Sequence, residues 1–425
     1  MKAPTLKMVQ RFAGVDEYRL SNGLRLLYKH DTAAPVAAVC VTYHVGSRNE
    51  AKGHTGSTHI LEHLLFKDTE HFKSKEGNRL WDVLERLGAL LNATTWLDRT
   101  QYFELVPKEK VEIALAIEAD RMRTIAFTAD DLKSEMTVVR NEYERGRNNP
   151  FELLDEAIMQ KAFVKHPYRI PTIGTKEDIE ASNVKKLYEF YNTFYWPNNA
   201  TLMVAGDVPF STVKKLVLKH FGPIQSSPKR IPALKVKEPP QKEPRKVVIE
   251  KDMGVAIAQL TYKVPERRHK DFVPLYMAAT MLGTGYASRL QAALVDTGLA
   301  ASATVFCYQL HDPGVFSFVA HSAAQAGPGL VLDAMRETVQ NFVAEGPTKE
   351  DLALAKERIL AELAEERDGV FKQVRVVSEA VAAGDWRVAY TLEQDIEKVT
   401  LKDIQRLSKK YFSRNNETAG ILQKP

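Results

Sequence analysis

Phe194-Tyr195-Trp196-Pro197-Asn198-Asn199 returns in looser form as Tyr411-Phe412-Ser413-Arg414-Asn415-Asn416, 217 residues later in a chain of 425. Sixteen residues before each copy stand Asp178-Ile179-Glu180 and Asp395-Ile396-Glu397. An earlier pair, Thr42-Tyr43-His44-Val45 and Thr261-Tyr262-Lys263-Val264, is separated by 219. Matches at nearly one offset, half the chain length, indicate a duplicated domain of about 200 residues.

Within each half, alternating apolar runs mark strands and runs of period 3.6 mark helices. Strands are expected at Leu24–Tyr28, Val36–Val45, Gln101–Leu105 and Thr201–Ala205. Helices are expected at Lys75–Leu87, Glu109–Thr124, Asp130–Arg145, Val184–Phe194 and, in the second half, Lys349–Glu366. The fold class is therefore α+β, two homologous domains each a mixed β-sheet backed by helices. Between Ser226 and Lys246 lie Pro228, Pro232, Pro239, Pro240 and Pro244 among many lysines. Proline removes backbone donors and disfavours helix, so residues 226–246 read as an extended linker joining domains at 12–225 and 247–425.

Composition narrows the class. Hydrophobic residues at 44% and charged ones at 27% exclude a disordered or fibrous chain. The net charge of +5 is small and dispersed, so nucleic acid is not implied. No apolar run approaches the ~18 residues of a membrane span. Met1–Tyr18 lacks the apolar stretch of a signal peptide, which makes the sequence as it stands that of a soluble cytoplasmic protein; removal of a signal peptide would make it periplasmic. Cys40 and Cys307 each sit in a strand-like apolar run without a CxxC spacing, and read as small buried hydrophobes.

Chemistry concentrates at His59-Ile60-Leu61-Glu62-His63, inside a segment, Thr55–Phe66, that reads as the opening turns of a helix. Histidines four apart share one helical face, and Glu62 projects to much the same side. Neutral imidazoles suit zinc, and a carboxylate that does not ligate can take a proton from activated water, which is the arrangement metal-assisted hydrolysis requires. The duplication supplies a control. The count of 14 residues from Val45 to His59 leads from Val264 to Ala278, in an apolar run, so the second half has no such motif. A motif needed for folding would be kept in both halves.

A catalytic zinc takes three protein ligands and leaves a place for water. On the expected helix Asp130–Arg145, Glu135 and Glu142 lie seven residues apart, two turns along one face, and both are candidates. Glu144 and Asp131 point elsewhere if Leu132, Met136 and Val139 form the buried stripe.

The inverted motif HxxEH, followed about 80 residues later by E-x6-E, resembles the pitrilysin/insulinase family of zinc metallopeptidases, the inverzincins. The resemblance covers nearly the whole chain and includes Phe194–Asp207 and, in the second half, Leu282-Gly283 with Ser288-Arg289-Leu290. It implies one zinc per chain held by His59, His63 and Glu142, with Glu135 supporting a ligating histidine and Glu62 as general base. It also implies a substrate-binding edge strand at Asn92, Ala93 and Thr94, to which a peptide adds by main-chain pairing. The length matches half-size members such as the subunits of mitochondrial processing peptidase and the zinc-binding subunits of similar bacterial heterodimers.

One departure from the family pattern is informative. Family peptidases carry an Arg and a Tyr in a segment R-E-K-G-L-A-Y facing the zinc, where they hold substrate and stabilise the oxyanion. The corresponding stretch is Val295-Asp296-Thr297-Gly298-Leu299-Ala300-Ala301, with Val295 and Ala301 at those two places and Tyr308 seven residues out of register. Loss of one such donor costs about 3 kcal/mol, roughly a hundredfold in rate. The resemblance therefore implies an endopeptidase subunit for unstructured peptides, completed by a homologous chain that lacks HxxEH and supplies Arg and Tyr. The alternatives are a non-catalytic scaffold or processing chaperone, and a self-sufficient homodimeric peptidase.

Overall fold

The computed structural model describes residues 3–425. They pack as two units. The first takes the chain up to Asn141, Pro171–Lys235 and Glu366–Ala389; the second takes Glu142–Ile170, Val236–Glu365 and Tyr390–Pro425. The units thus differ from the contiguous spans 12–225 and 247–425, since each includes one segment from the other half of the sequence.

The first unit holds a seven-stranded sheet of β1 (Leu6–Phe12), β2 (Val15–Leu20), β3 (Arg25–His30), β4 (Val36–Tyr43), β5 (Leu90–Thr95), β6 (Thr100–Pro107) and β7 (Ala200–Gly206), in the order β1-β2-β3-β7-β4-β6-β5. The second holds β8 (Arg245–Glu250), β9 (Ile257–Val264), β10 (Ala300–Cys307), β11 (Gly314–Ser322) and β12 (Glu417–Gln423), in the order β10-β11-β9-β12-β8. Read from its β8 side, the smaller sheet repeats the run β3-β7-β4-β6-β5. The registers agree too. β3 runs parallel to β7 and β8 parallel to β12; Thr42 faces Thr201 across one antiparallel pair and Thr261 faces Thr418 across its counterpart.

The repeated Asn explains why the opening hexapeptide carries the fold. The Asn199 side-chain amide donates to Phe194 O at 2.9 Å and the Asn416 amide to Tyr411 O at 2.8 Å. Each closes the turn from the helix before it, Val184–Phe194 or Leu401–Tyr411, onto strand β7 or β12, so the two Asn residues do one job twice.

Strand β4 is buried over Ala37–Tyr43 on both faces, as its unbroken apolar run demands. The helix Val370–Ala382 covers β4 and β7. Phe371 meets Phe103 with ring centroids 5.5 Å apart, and Glu379 pairs with Arg99 at 2.8 Å. In the second unit the matching cover over β8, β9 and β12 is the helix Pro150–Ala162, whose Leu153, Leu154 and Ile158 pack with Ile257, Val319 and Leu422. Gly420 permits that approach, because a Cβ there would lie 2.7 Å from Ile158 Cδ1.

Two expectations need adjustment. The helix expected at Lys75–Leu87 forms only over Leu80–Arg86, because Gly77 turns the chain at φ 68° and ends a single turn at Ser74–Glu76. The linker's last residues, from Arg245, belong to β8, and β1 begins before residue 12. Cys40 and Cys307 are free thiols, the first buried and the second half-buried. Among the described residues no helix is long and apolar enough to cross a membrane.

Candidate metal centre

The motif lies on the helix Ser57–Leu64, which packs beside β5. Ile60, Leu61 and Leu64 face the core, which leaves His59, Glu62 and His63 on the half-buried side. The helix start is tightly held. Glu50 accepts hydrogen bonds from Gly56 N at 2.8 Å, Thr58 N at 2.7 Å and Thr58 Oγ1 at 2.6 Å. Burial nevertheless pushes the Glu50 carboxyl up to about 8, against the pull of those donors. Asp178 accepts from Thr55 Oγ1 at 2.7 Å, Thr55 N at 3.1 Å and Gly53 N at 3.2 Å. Burial works against its charge, but these donors bring Asp178 below the ordinary range. Gly56 begins the helix at φ 84°, with Ile173 O 2.5 Å from where a Cβ would stand. No other residue fits that corner.

Two carboxylates therefore fix residues 53–58 and with them the direction of the motif helix. Neither Glu50 nor Asp178 was among the sequence candidates. Asp178 was visible only as part of the repeat, whose other copy, Asp395, forms an exposed pair with Lys398.

His59 Nε2 and His63 Nε2 stand 3.4 Å apart. Two nitrogens at zinc-ligand distance around a tetrahedral ion are separated by about 3.3 Å, so the pair already has the required spacing. Burial first, and His63 second, hold the His59 imidazole down to about 4, so it is neutral and its lone pair available near neutral pH. His63 Nδ1 faces Glu135 Oε2 at 3.2 Å, which directs Nε2 toward His59; Glu135 is held in turn by Lys67 at 2.5 Å.

Glu135 lies on the long helix Ala129–Arg147, whose buried stripe is Leu132, Met136 and Val139 as expected. Arg140, between the two glutamates, pairs with Glu180 at 2.5 Å. Of the two candidates for third ligand, Glu142 is the one that converges. One ligand atom from each of His59, His63 and Glu142 lies within 4.8 Å of the others, the one such group among the described residues. Two imidazoles and a carboxylate form the donor set of a hydrolytic zinc site, so the residues present fit that ion.

Glu62 lies close enough to Tyr102 and Tyr195 for its charge to add to burial in pushing both hydroxyls above their ordinary range. Asn92, Ala93 and Thr94 lie on β5, which pairs with β6 and stands at the end of its sheet. Asn92 Oδ1 accepts from Ala93 N at 2.8 Å, and the Thr94 carbonyl accepts from Arg99 at 2.9 Å. In the second unit, Val295 ends a turn of wide helix and Ala301 is exposed on β10.

Two family profiles match the chain: insulinase (peptidase family M16) over residues 25–176 and peptidase M16 inactive domain over residues 182–359. A relative described as zinc protease PqqE, from Helicobacter pylori, is 32% identical over 426 residues, covering 95% of this chain and 91% of its own. The uncharacterized zinc protease YmxG of Bacillus subtilis is 25% identical, covering 96% and 98%. The crystal structure of a protease from Helicobacter pylori superimposes with a TM-score of 0.91 at 29% identity, over 99% of this chain and 100% of that one.

Proposed function

The chain belongs to the insulinase family of peptidases, M16, and from that premise we propose that it is a zinc-dependent endopeptidase subunit that hydrolyses unstructured peptides. The observation that carries the reading is the convergence of His59, His63 and Glu142 within 4.8 Å. Bound there, zinc would polarise the scissile carbonyl and make water acidic enough to lose a proton near neutral pH. One ion per chain suits one such group.

The residues divide the remaining work. His59, His63 and Glu142 hold the ion, and Glu135 keeps the His63 ring turned with Nε2 toward it. Glu62, on the same helical face, takes the proton from water and passes it to the leaving amine. The edge of β5 at Asn92, Ala93 and Thr94 receives the peptide main chain as an added strand, which selects extended, unfolded segments.

The oxyanion donor comes from elsewhere. Val295 and Ala301 carry no hydrogen-bonding side-chain groups, so a homologous partner chain with Arg and Tyr at those places completes the site. Hydrolysis of a quenched fluorescent peptide is measured for this chain alone and with such a homologue. Activity should rise about a hundredfold on mixing. Equal activity alone and mixed would reject the shared site, and no activity in either case, with zinc bound, would favour the scaffold.

A further inference from the structure

Behind the motif helix lies a group of charges that the chemistry above does not use. Arg121, on the helix Val111–Arg123, is fully buried and pairs with Glu118 and, at 3.5 Å, with Glu104 of β6; both glutamates are buried as well. Its Nε–H donates at 3.2 Å to the carbonyl of Leu65, the residue that caps the motif helix two positions after His63. The guanidinium also stacks over the rings of Tyr102 and Phe66, 4.3 and 5.0 Å from their centroids. Arg121 thereby ties β6, its own helix and the end of the motif helix to one point. Burial, together with the Glu118 charge, pushes the Glu104 carboxyl well above its ordinary range.

The second unit shows that the fold does not need these charges. Glu104 faces Val39 across β4, and at the matching position Ala320 faces Ala258 across β9. Laying the buried residues Ala114, Leu115 and Met122 over Val331, Leu332 and Val339 puts Met335 at the place of Glu118 and Thr338 at that of Arg121. Ala320 and Met335 are fully buried in an apolar core. Removing three ionisable groups from water is unfavourable, and apolar replacements of such clusters are commonly neutral or stabilising. A cluster kept only in the half that carries the motif serves the motif.

We infer that Arg121, held between Glu104 and Glu118, is a positioning residue that fixes the C-terminal end of the motif helix and so the directions of His63 and Glu62. The inference rests on the metal-centre reading above and asks more of it. Without the Leu65 anchor the last helical turn frays, and the ligand spacing and the base lose their registration.

The test is a triple variant bearing the residues of the second unit, Glu104→Ala, Glu118→Met and Arg121→Thr, with Arg121→Lys as its companion. Lysine keeps the charge between the two glutamates but lacks the Nε–H that reaches Leu65. Thermal melting of the metal-free proteins, the visible absorption spectrum and affinity of bound Co(II), and kcat and KM on a peptide are measured. The triple variant should melt within a few degrees of the parent. Both variants should bind Co(II) about tenfold to a hundredfold more weakly with a changed spectrum, and kcat should fall while KM stays. Folded variants with the parental spectrum, affinity and kcat overturn the positioning role alone. A parent that takes up no Co(II) overturns the metal-centre reading and this inference with it. Should the triple variant fail to fold, Arg121→Lys decides between the same results.

Discussion

Two helices occupy equivalent places in the two units, and they are built from opposite materials. Ser57–Leu64 follows the Thr42-Tyr43 strand and carries His59, Glu62 and His63 on its half-buried side. Phe272–Gly283 follows the Thr261-Tyr262 strand and is buried at every residue but the half-buried Tyr276, with Ala278 where the count places His59. The apolar helix meets every demand of the fold. What the other helix adds, including the Glu50 and Asp178 contacts at its start and the Arg121 contact at its end, is the cost of holding polar groups in a fixed array.

That comparison can be broken most sharply at Glu62. Glu62→Gln should retain zinc and lose at least a hundredfold in kcat, measured on a quenched fluorescent peptide with the partner present; substantial residual activity would remove Glu62 from proton transfer. Next in size is Glu142→Gln. Loss of this ligand, whose place in the second half is taken by Ile359 at the 217-residue offset, should abolish stoichiometric zinc while the melting temperature of the metal-free protein stays put. Glu135→Gln should weaken zinc by about tenfold to a hundredfold, read by chelator competition, because His63 then loses the carboxylate that orients it.

The smallest effect concerns pH. The Glu50 carboxyl is raised by burial to about 8, so the folded protein binds more protons than the unfolded chain between the ordinary glutamate range and pH 8. Its contribution to stability is complete at acid pH and is lost as pH rises through about 8. Glu50→Gln should flatten that decline up to about pH 8 in urea titrations while costing about 1–3 kcal/mol through donors left without their acceptor. An unchanged decline would show that another group titrates there.

Much of this was legible in the residues. The repeated Asn199 and Asn416 gave the duplication because each performs a local task, closing a turn, that any copy of the fold must keep. HxxEH and E-x6-E pointed to candidates at His59, His63, Glu135 and Glu142 because both spacings are fixed by helical geometry, and the family resemblance chose Glu142 as third ligand. The exchange of the helices Pro150–Ala162 and Val370–Ala382 between the sheets was not legible. An amphipathic helix declares that it has a buried face but not which sheet buries it. Glu50, Asp178 and Arg121 were missed for a related reason: Asp178 and Arg121 act through contacts distant in sequence, Glu50 accepts across an irregular turn that no period marks, and an isolated acidic or basic residue looks like any solvated charge. The shortened helix at Leu80–Arg86 was overdrawn because an apolar period was followed through Gly77.

On the proposed function, the second unit's apolar helix is the structural minimum and the motif helix is that minimum converted to carry two of the zinc ligands. The most direct measurement is zinc per chain, by elemental analysis, in the parent and in a His59→Ala, His63→Ala double variant that brings the motif toward its apolar counterpart. One zinc in the parent and none in a double variant with unchanged melting of the metal-free protein is the predicted result. Equal zinc in both proteins would contradict the account.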